Sequence, residues 1–239
     1  MTSDRMQTVR HQLGLGSLLP LGDERDGAWI AERAAEAVLR SAAGDTPGVR
    51  LGALRVTLAD PADRREPAVP APPSALPPGP LRVTAEAEAT SAQPLPTTAS
   101  LLRATLATAA AQRLGLTVTE IDLLVTGLLD EETEPGPSVP LPEPPGPVRA
   151  DGEGGGEKGR VAAAALAVPG VLHLTGTLGH PVHIEELPGD AALAHRHIRL
   201  ELAVAADHRA RDVAREVRRA VRRSLPDHPT VAVLVSGIG

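Results

Sequence analysis

The chain has 239 residues and a formal net charge of −6, with no cysteine, tyrosine or phenylalanine and with Trp29 and Lys158 as its single tryptophan and lysine. Absence of cysteine excludes disulfides, thiolate metal sites and thiol nucleophiles, and the acidic balance argues against a general nucleic-acid coat. No apolar run reaches membrane-span length and Met1–Arg5 leads into no secretory segment, so the expectation is a cytoplasmic protein of one large or two small domains.

Residues 1–26 read as an N-terminal arm laid on the first folded unit, with a short helix over Asp4–Leu13. Gly14-Leu15-Gly16 follows no strand and lacks a correctly spaced third glycine, so it is no dinucleotide loop. Trp29–Ala42 has amphipathic helical spacing, and Trp29 is the largest burial available to a core or interface. Leu54–Leu58 and Leu81–Ala85 alternate as strands. Between them Pro61–Pro80 is rich in proline and alanine, includes Pro67-Ala68-Val69-Pro70, and reads as a polyproline-II loop. Leu101–Leu114 is a second helix, and a closing strand ends in Leu124–Leu128.

Glu131–Glu157 is dominated by proline, glycine and acids and reads as a flexible linker. Its Gly154-Gly155-Gly156-Glu157-Lys158 lacks the glycine before the lysine and the hydroxyl residue after it, so it is not a phosphate loop. Beyond it, Val161–Val168 is a short helix stopped by Pro169-Gly170. Val171–Leu174 is strand or the way into one, and Val182–Glu185 is a short strand. Ile198–Val204 alternates apolar and polar. Asp207 is the expected N-cap of a helix running to about Leu225, on which Ala210, Val213, Ala214, Val217, Ala220, Val221 and Leu225 share one side. Val231–Ser236 is a β-branched final strand.

The order repeats. Pro47-Gly48-Val49 echoes Pro169-Gly170-Val171, Leu81–Ala85 matches Ile198–Leu202, and Leu124-Val125-Thr126-Gly127-Leu128 matches Leu234-Val235-Ser236-Gly237-Ile238. This predicts a tandem duplication of an αββαβ unit. The expected fold class is α+β, each unit a small sheet with two helices on one face. The expected organisation is an arm over 1–26, a first unit over 27–130 with a proline-rich insertion at 61–80, a linker over 131–159, and a second unit over 160–239 that folds alone.

The C-terminal unit resembles the alkaline-shock-protein family of bacterial envelope stress proteins. Val161–Leu166, Pro169-Gly170-Val171, Ile198–Val204 and Asp212–Arg218 carry the resemblance. That family places a valine-alanine-arginine-X-valine helix between a central strand and a final valine-rich strand. This chain is similar to a tandem-duplicated member from a GC-rich bacterium. The resemblance implies a non-enzymatic interaction or scaffold protein without cofactor. Such a protein assembles near the cytoplasmic face of the membrane through a separate, membrane-anchored protein partner. Independently of the resemblance, a homo-oligomer is an expected partner state, since small aliphatic domains gain stability by packing together or oligomerising.

Candidate chemistry is sparse. His173, His180, His183, His195, His197, His208 and His228 cluster in the second unit, and His195 and His197 would share a strand face near Glu185 and Glu186. They are either surface and turn residues or a divalent-metal site. Ser91, Ser100, Ser224 and Ser236 sit in no nucleophile elbow, and Asp130-Glu131-Glu132 opens the linker, so no catalytic residue is assigned. Arg211, Arg215, Arg218 and Arg222 fall on one strip of the last helix, a candidate interaction stripe for an anionic partner or else a solvated face. Asp212–Arg215 and Glu216–Arg219 are expected ion pairs. The alternative functions are nucleic-acid binding through the basic helix 209–223, without stacking aromatics, and a histidine-dependent metal enzyme. The acidic linker 131–157 is tethered where it can cover the arginines.

Overall fold

A computed structural model describes residues 16–130, 145–148, 156–187 and 195–239. The expected helix Asp4–Leu13 and linker residues 131–144 and 149–155 lie outside the described residues, while residues 157–159, expected in the linker, belong to a helix.

Two short strands come first, β1 (Leu18–Pro20) and β2 (Ala28–Ala31), followed by helix α1 (Glu32–Gly44). Trp29 therefore lies in a strand, a correction to the helix expected from Trp29 onward. Ala28, Trp29, Ile30 and Ala31 are all buried. A continuous apolar run of that kind suits a strand covered on both faces, and helical spacing cannot distinguish it.

Next, β3 (Val49–Leu58) pairs antiparallel with β4 (Leu81–Thr90). Helix α2 (Leu95–Ala109) continues through a π-helical turn, Ala110–Leu114, and leads to β5 (Val118–Leu129), which runs parallel to β4. The helix starts earlier than its leucine spacing implies because Pro94 precedes it as N-cap and Pro96 occupies its first turn, where a missing N–H costs nothing. It stops at Gly115, whose φ of 85° is left-handed.

The second half contains α3 (Glu157–Leu166), β6 (Val171–Leu174), β7 (Val182–Leu187), β8 (His195–Val204), α4 (Ala210–Ser224) and β9 (Thr230–Ile238). Strands β6 and β7 pair antiparallel with successive halves of one edge of β8, with Leu174 opposite Leu202 and Val182 opposite Leu200. Helix α4 then leads to β9, parallel to β8. Asp207 is not its cap. The N-cap is Arg209, and the Asp207 carboxylate instead meets Nδ1 of His208 at 2.8 Å.

The architecture is mixed α+β with two sheets, β3-β4-β5 and β1-β2-β9-β8-β6, β7 also joining β8. Both sheets contain an antiparallel pair followed by a helical crossing to a parallel strand. The arm expected on the first unit goes elsewhere. β2 adds to the second sheet, parallel to β9 with Trp29 opposite Leu234, and β1 pairs with β2. The proline-rich insertion closes over this junction rather than standing free. Trp29 Nε1 donates to the Leu76 carbonyl at 3.2 Å, Leu76 N–H donates to the Leu18 carbonyl at 2.8 Å, and Val69 is buried.

Helix α1 packs against β3, α2 and β9 at once. Its buried face is Ala34, Ala35, Val38, Leu39, Ala42 and Ala43, short side chains that let the backbones of both sheets come close. Val231 to Val235 of β9 are fully buried, and α4 also packs on this strand through Ala210, Val213, Ala214, Val217 and Val221. A single hydrophobic cluster thus runs through both sheets.

One charge is buried beside that cluster. Glu201 on β8 is fully buried; its carboxylate accepts from Thr177 Oγ1 at 2.7 Å and from Leu178 N–H at 3.0 Å. Thr175 Oγ1 and Ser236 Oγ share a hydrogen bond of 2.6 Å nearby. The turn between β6 and β7 is pinned to the sheet by these bonds. Burial pushes the Glu201 carboxyl above its ordinary value, and the hydrogen bonds from Thr177 and Leu178 and the charge of Arg199 oppose this without overcoming it.

Two outcomes follow from this packing. A fragment of residues 160–239 lacks β2, so it is expected to melt without a sharp transition by circular dichroism and to gain one when a peptide of residues 16–31 is added. An equally sharp melt without the peptide would mean that the second sheet is self-sufficient. For Glu201, a raised folded-state pKa gives stability that is complete below the ordinary value of 4.5 and lost as pH rises through the folded value. Glu201→Gln keeps an acceptor oxygen and removes the charge. Its thermal midpoint should exceed the wild type's at neutral pH, and the gap should close as pH falls toward 4.5.

Candidate interaction surfaces

The stretch Gly22-Asp23-Glu24-Arg25-Asp26-Gly27 turns the chain from β1 into β2, with left-handed glycines at both ends (φ 104° and 53°). A Cβ on Gly22 would collide with the Asp26 carboxylate and come within 2.6 Å of Arg211 Nε, and one on Gly27 would come within 2.9 Å of the Arg218 guanidinium carbon. Only glycine permits that approach. The turn presents Asp26, 6% exposed, to helix α4. Its Oδ2 accepts from Asp23 N–H at 2.8 Å and from Arg211 at 3.0 Å. Arg215 grips both carboxylate oxygens, through Nε to Oδ1 and Nη2 to Oδ2. Arg218 donates to the Asp26 and Arg25 carbonyls and to the Val231 carbonyl at 2.8 Å.

Three of the four arginines in the expected stripe are thereby engaged within the chain. Arg211, Arg215 and Arg218 face the turn before β2, and Arg222 alone is exposed without an ion-pair partner among the described residues. Strip geometry was legible in the helical period, but a partner separated by most of the chain was not. The flanking pairs also differ from expectation. Glu216 takes both Arg219 and Arg223, at 3.2 and 3.1 Å, whereas Asp212 lies 3.7 Å from Arg209 rather than pairing with Arg215.

Burial alone would raise the Asp26 pKa. The Arg215 hydrogen bond, the Asp23 N–H and the charges of Arg211 and Arg215 outweigh it and hold the carboxyl below the ordinary carboxylate value. Burial likewise pulls the Arg218 guanidinium down, though an arginine remains cationic. A second clasp was not foreseen. Arg196 of β8 binds Asp227 with two nitrogens and Glu157 with a third, joining the start of α3 to the loop between α4 and β9.

The histidines are dispersed. His173 Nε2 donates to the Pro145 carbonyl at 3.0 Å, His183 lies 3.7 Å from Glu185, and buried His197 meets Thr230 Oγ1 at 2.9 Å. Among the described residues no group of three or more histidines and acids is arranged to hold a metal. A cleft of about 280 Å³ lies beside the turn, lined by Asp23, Glu24, Arg65, Pro78, Pro80 and Thr117, with Arg65 paired to Glu24 at 3.3 Å.

Among the described residues the largest apolar exposure belongs to β5 and α2. On β5, Leu128 is 67% and Leu124 59% exposed; Val125, Leu95 and Leu101 are also open. A shallow apolar crevice lined by Ala87, Ala89, Leu95, Leu102, Leu123 and Val125 opens beside them. β5 is an edge strand with no partner beyond it among the described residues. The opposite edge of the same sheet is closed by α1, because Glu32 accepts Val56 N–H at 3.2 Å and Arg40 donates to the Leu51 carbonyl at 3.4 Å. On β5 the corresponding contact is Arg103 Nε to the Ile121 carbonyl at 3.3 Å. The alternation of Val118–Leu129 identifies a strand, but nothing local says which of its leucines the fold leaves uncovered.

No protein-family model and no curated protein sequence matches this chain.

The clasp makes a prediction with a defined sign. A carboxyl whose folded pKa is depressed contributes stability above its unfolded value and loses it as pH falls through the folded value. Asp26→Asn should cost about 2–3 kcal/mol at neutral pH, the scale of a charge-assisted buried contact whose arginine partners can partly rehydrate. Denaturant titrations at neutral and acid pH would measure it. The variant's deficit should shrink once the pH drops below the ordinary aspartate value of 3.8.

Proposed function

We propose that this chain is a non-enzymatic interaction and scaffold protein of the alkaline-shock kind. In this reading it consists of two tandem copies of an αββαβ unit, the first divergent. It works through protein–protein contacts beside the cytoplasmic face of the membrane, held there by a membrane-anchored partner. The observation that carries it is the apolar exposure along the edge strand β5, where Val125 and Leu128 open on the α2 face beside Leu95 and Leu124 opens on the opposite face. Exposed apolar surface along an unpaired strand edge is the kind of surface that other chains bind. The matching strand orders of the two sheets support the duplication, and the residues that resemble the envelope stress family support its functional class. Among the described residues no helix is long and apolar enough to cross a membrane, and the partner supplies the anchor here.

The nucleic-acid reading of α4 draws less support. Arg211, Arg215 and Arg218 already serve the turn at Asp26, and phosphate contacts need cations free to displace counterions.

A photo-crosslinking residue at Leu124 or Leu128, with one at exposed Thr57 of β3 as control, tests the reading in cells separated into membrane and soluble fractions. Protein adducts from the β5 positions and not from Thr57 are expected, with some in the membrane fraction. Equal labelling from all three sites would remove the strip as an interaction surface. Adducts confined to the soluble fraction would remove the membrane partner alone.

A further inference from the structure

We infer that β5 pairs antiparallel, along its free edge, with β5 of a second copy of this chain, joining two three-stranded sheets into one of six strands. The inference rests on the reading of the β5 strip as an interaction surface and names its occupant.

The edges of both sheets are handled unequally. In the three-stranded sheet the β3 edge is plugged by Glu32 and Arg40 of α1. In the larger sheet β9 holds the place that β5 holds here, the parallel strand after the helical crossing, and β2 covers its outer edge. β1 is a three-residue strand, and Val148 N–H reaches the Leu174 carbonyl of β6 at 2.9 Å. β7 carries Glu185 and Glu186, exposed charges of the sort that protect an edge. β5 differs in its twelve residues and its exposed leucines, and among the described residues the one side chain that bonds to its backbone from α2 is Arg103, at the Ile121 carbonyl.

The occupant follows from hydrogen bonding and charge. The chain that continues from β5 carries proline at 135, 137, 140, 142 and 144, and proline has no N–H to give a strand edge. A second β5 has donors and acceptors throughout. Its acids do not oppose the approach, since Arg82 holds Glu120 at 2.7 Å and lies 3.5 Å from Asp122 within each copy. Antiparallel pairing centred on Val125 brings Val125 and Leu128 of both copies together on the α2 face and sets the two Leu124 side chains near one another on the opposite face. The same register brings Asp130 of one copy to the Ile121 end of the other, where Arg103 stands exposed. The two-fold axis makes this ion pair twice. Because the β3 edge is plugged, assembly closes at two copies and does not propagate as a fibre.

Sedimentation and light scattering of the purified full chain test the pairing. The wild type should be a dimer at micromolar concentration. Leu124→Lys with Leu128→Lys, on side chains already in solvent, should keep the wild-type melt and weaken the dimer at least roughly tenfold. Arg103→Asp and Asp130→Arg should each weaken it, and the double exchange should restore it. A monomeric wild type overturns the inference, as does a dimer indifferent to the leucine changes or a double exchange that fails to rescue. So does a monomer that dimerises only after deletion of residues 131–144, because the chain's own continuation would then be the occupant. A monomer whose β5 positions still crosslink to other proteins fails this inference while the scaffold reading stands. Absence of any β5 adduct fails both.

Discussion

Asp26 is a carboxylate that the fold buries, and the arrangement around it depends on satisfying that charge. A buried anion is tolerated only when paired and hydrogen-bonded. Arg215 supplies a two-nitrogen grip, Arg211 a third bond and Asp23 a backbone N–H. These contacts set the position of the turn between β1 and β2 against α4. From that position β2 enters the groove beside β9, Trp29 meets Leu234, and α1 starts where it can lie against both sheets. One ion cluster thus joins the turn before β2 to the last helix.

An aliphatic composition explains why such joining is needed. Apart from Trp29, the core is alanine, valine, leucine and isoleucine, which bury less area per residue than aromatics do. Two separate small cores of this kind would be weak. The chain instead runs one hydrophobic cluster through both sheets, with the alanine face of α1 as the shared wall. Alanine contributes little area itself, but its small size lets α1 lie against β3, β9 and α2 at once.

The strand edges show a consistent economy. A row of unpaired N–H and C=O groups invites another strand, and this chain answers with α1 side chains at β3, a whole strand at β9 and the segment through Val148 at β6. The same devices that protect those edges give β5 its distinction. The exposed surface of the smaller sheet is defined by where that closure stops.

Much of the local structure was readable from periodicity, because a half-buried strand or amphipathic helix prints its burial pattern on the chain. The alternation of Ile198–Val204, the apolar side of α4 and the likeness of Leu81–Ala85 to Ile198–Leu202 all placed elements correctly, although Ile198–Val204 is buried on both faces, at Glu201 and Ala203 too, rather than half-buried. The arginine strip was equally legible as geometry. Tertiary structure decided the rest, for physical reasons that act across distance. Trp29 became strand rather than helix because β9 offered it an edge, and a continuous apolar run satisfies either period. Arg211, Arg215 and Arg218 turned inward because Asp26 reached them from a position far away in sequence, and helical spacing cannot specify a partner on another element. Leu124 and Leu128 carry the same signal as buried leucines. Their exposure follows from the order of strands in the sheet, which leaves β5 at the edge.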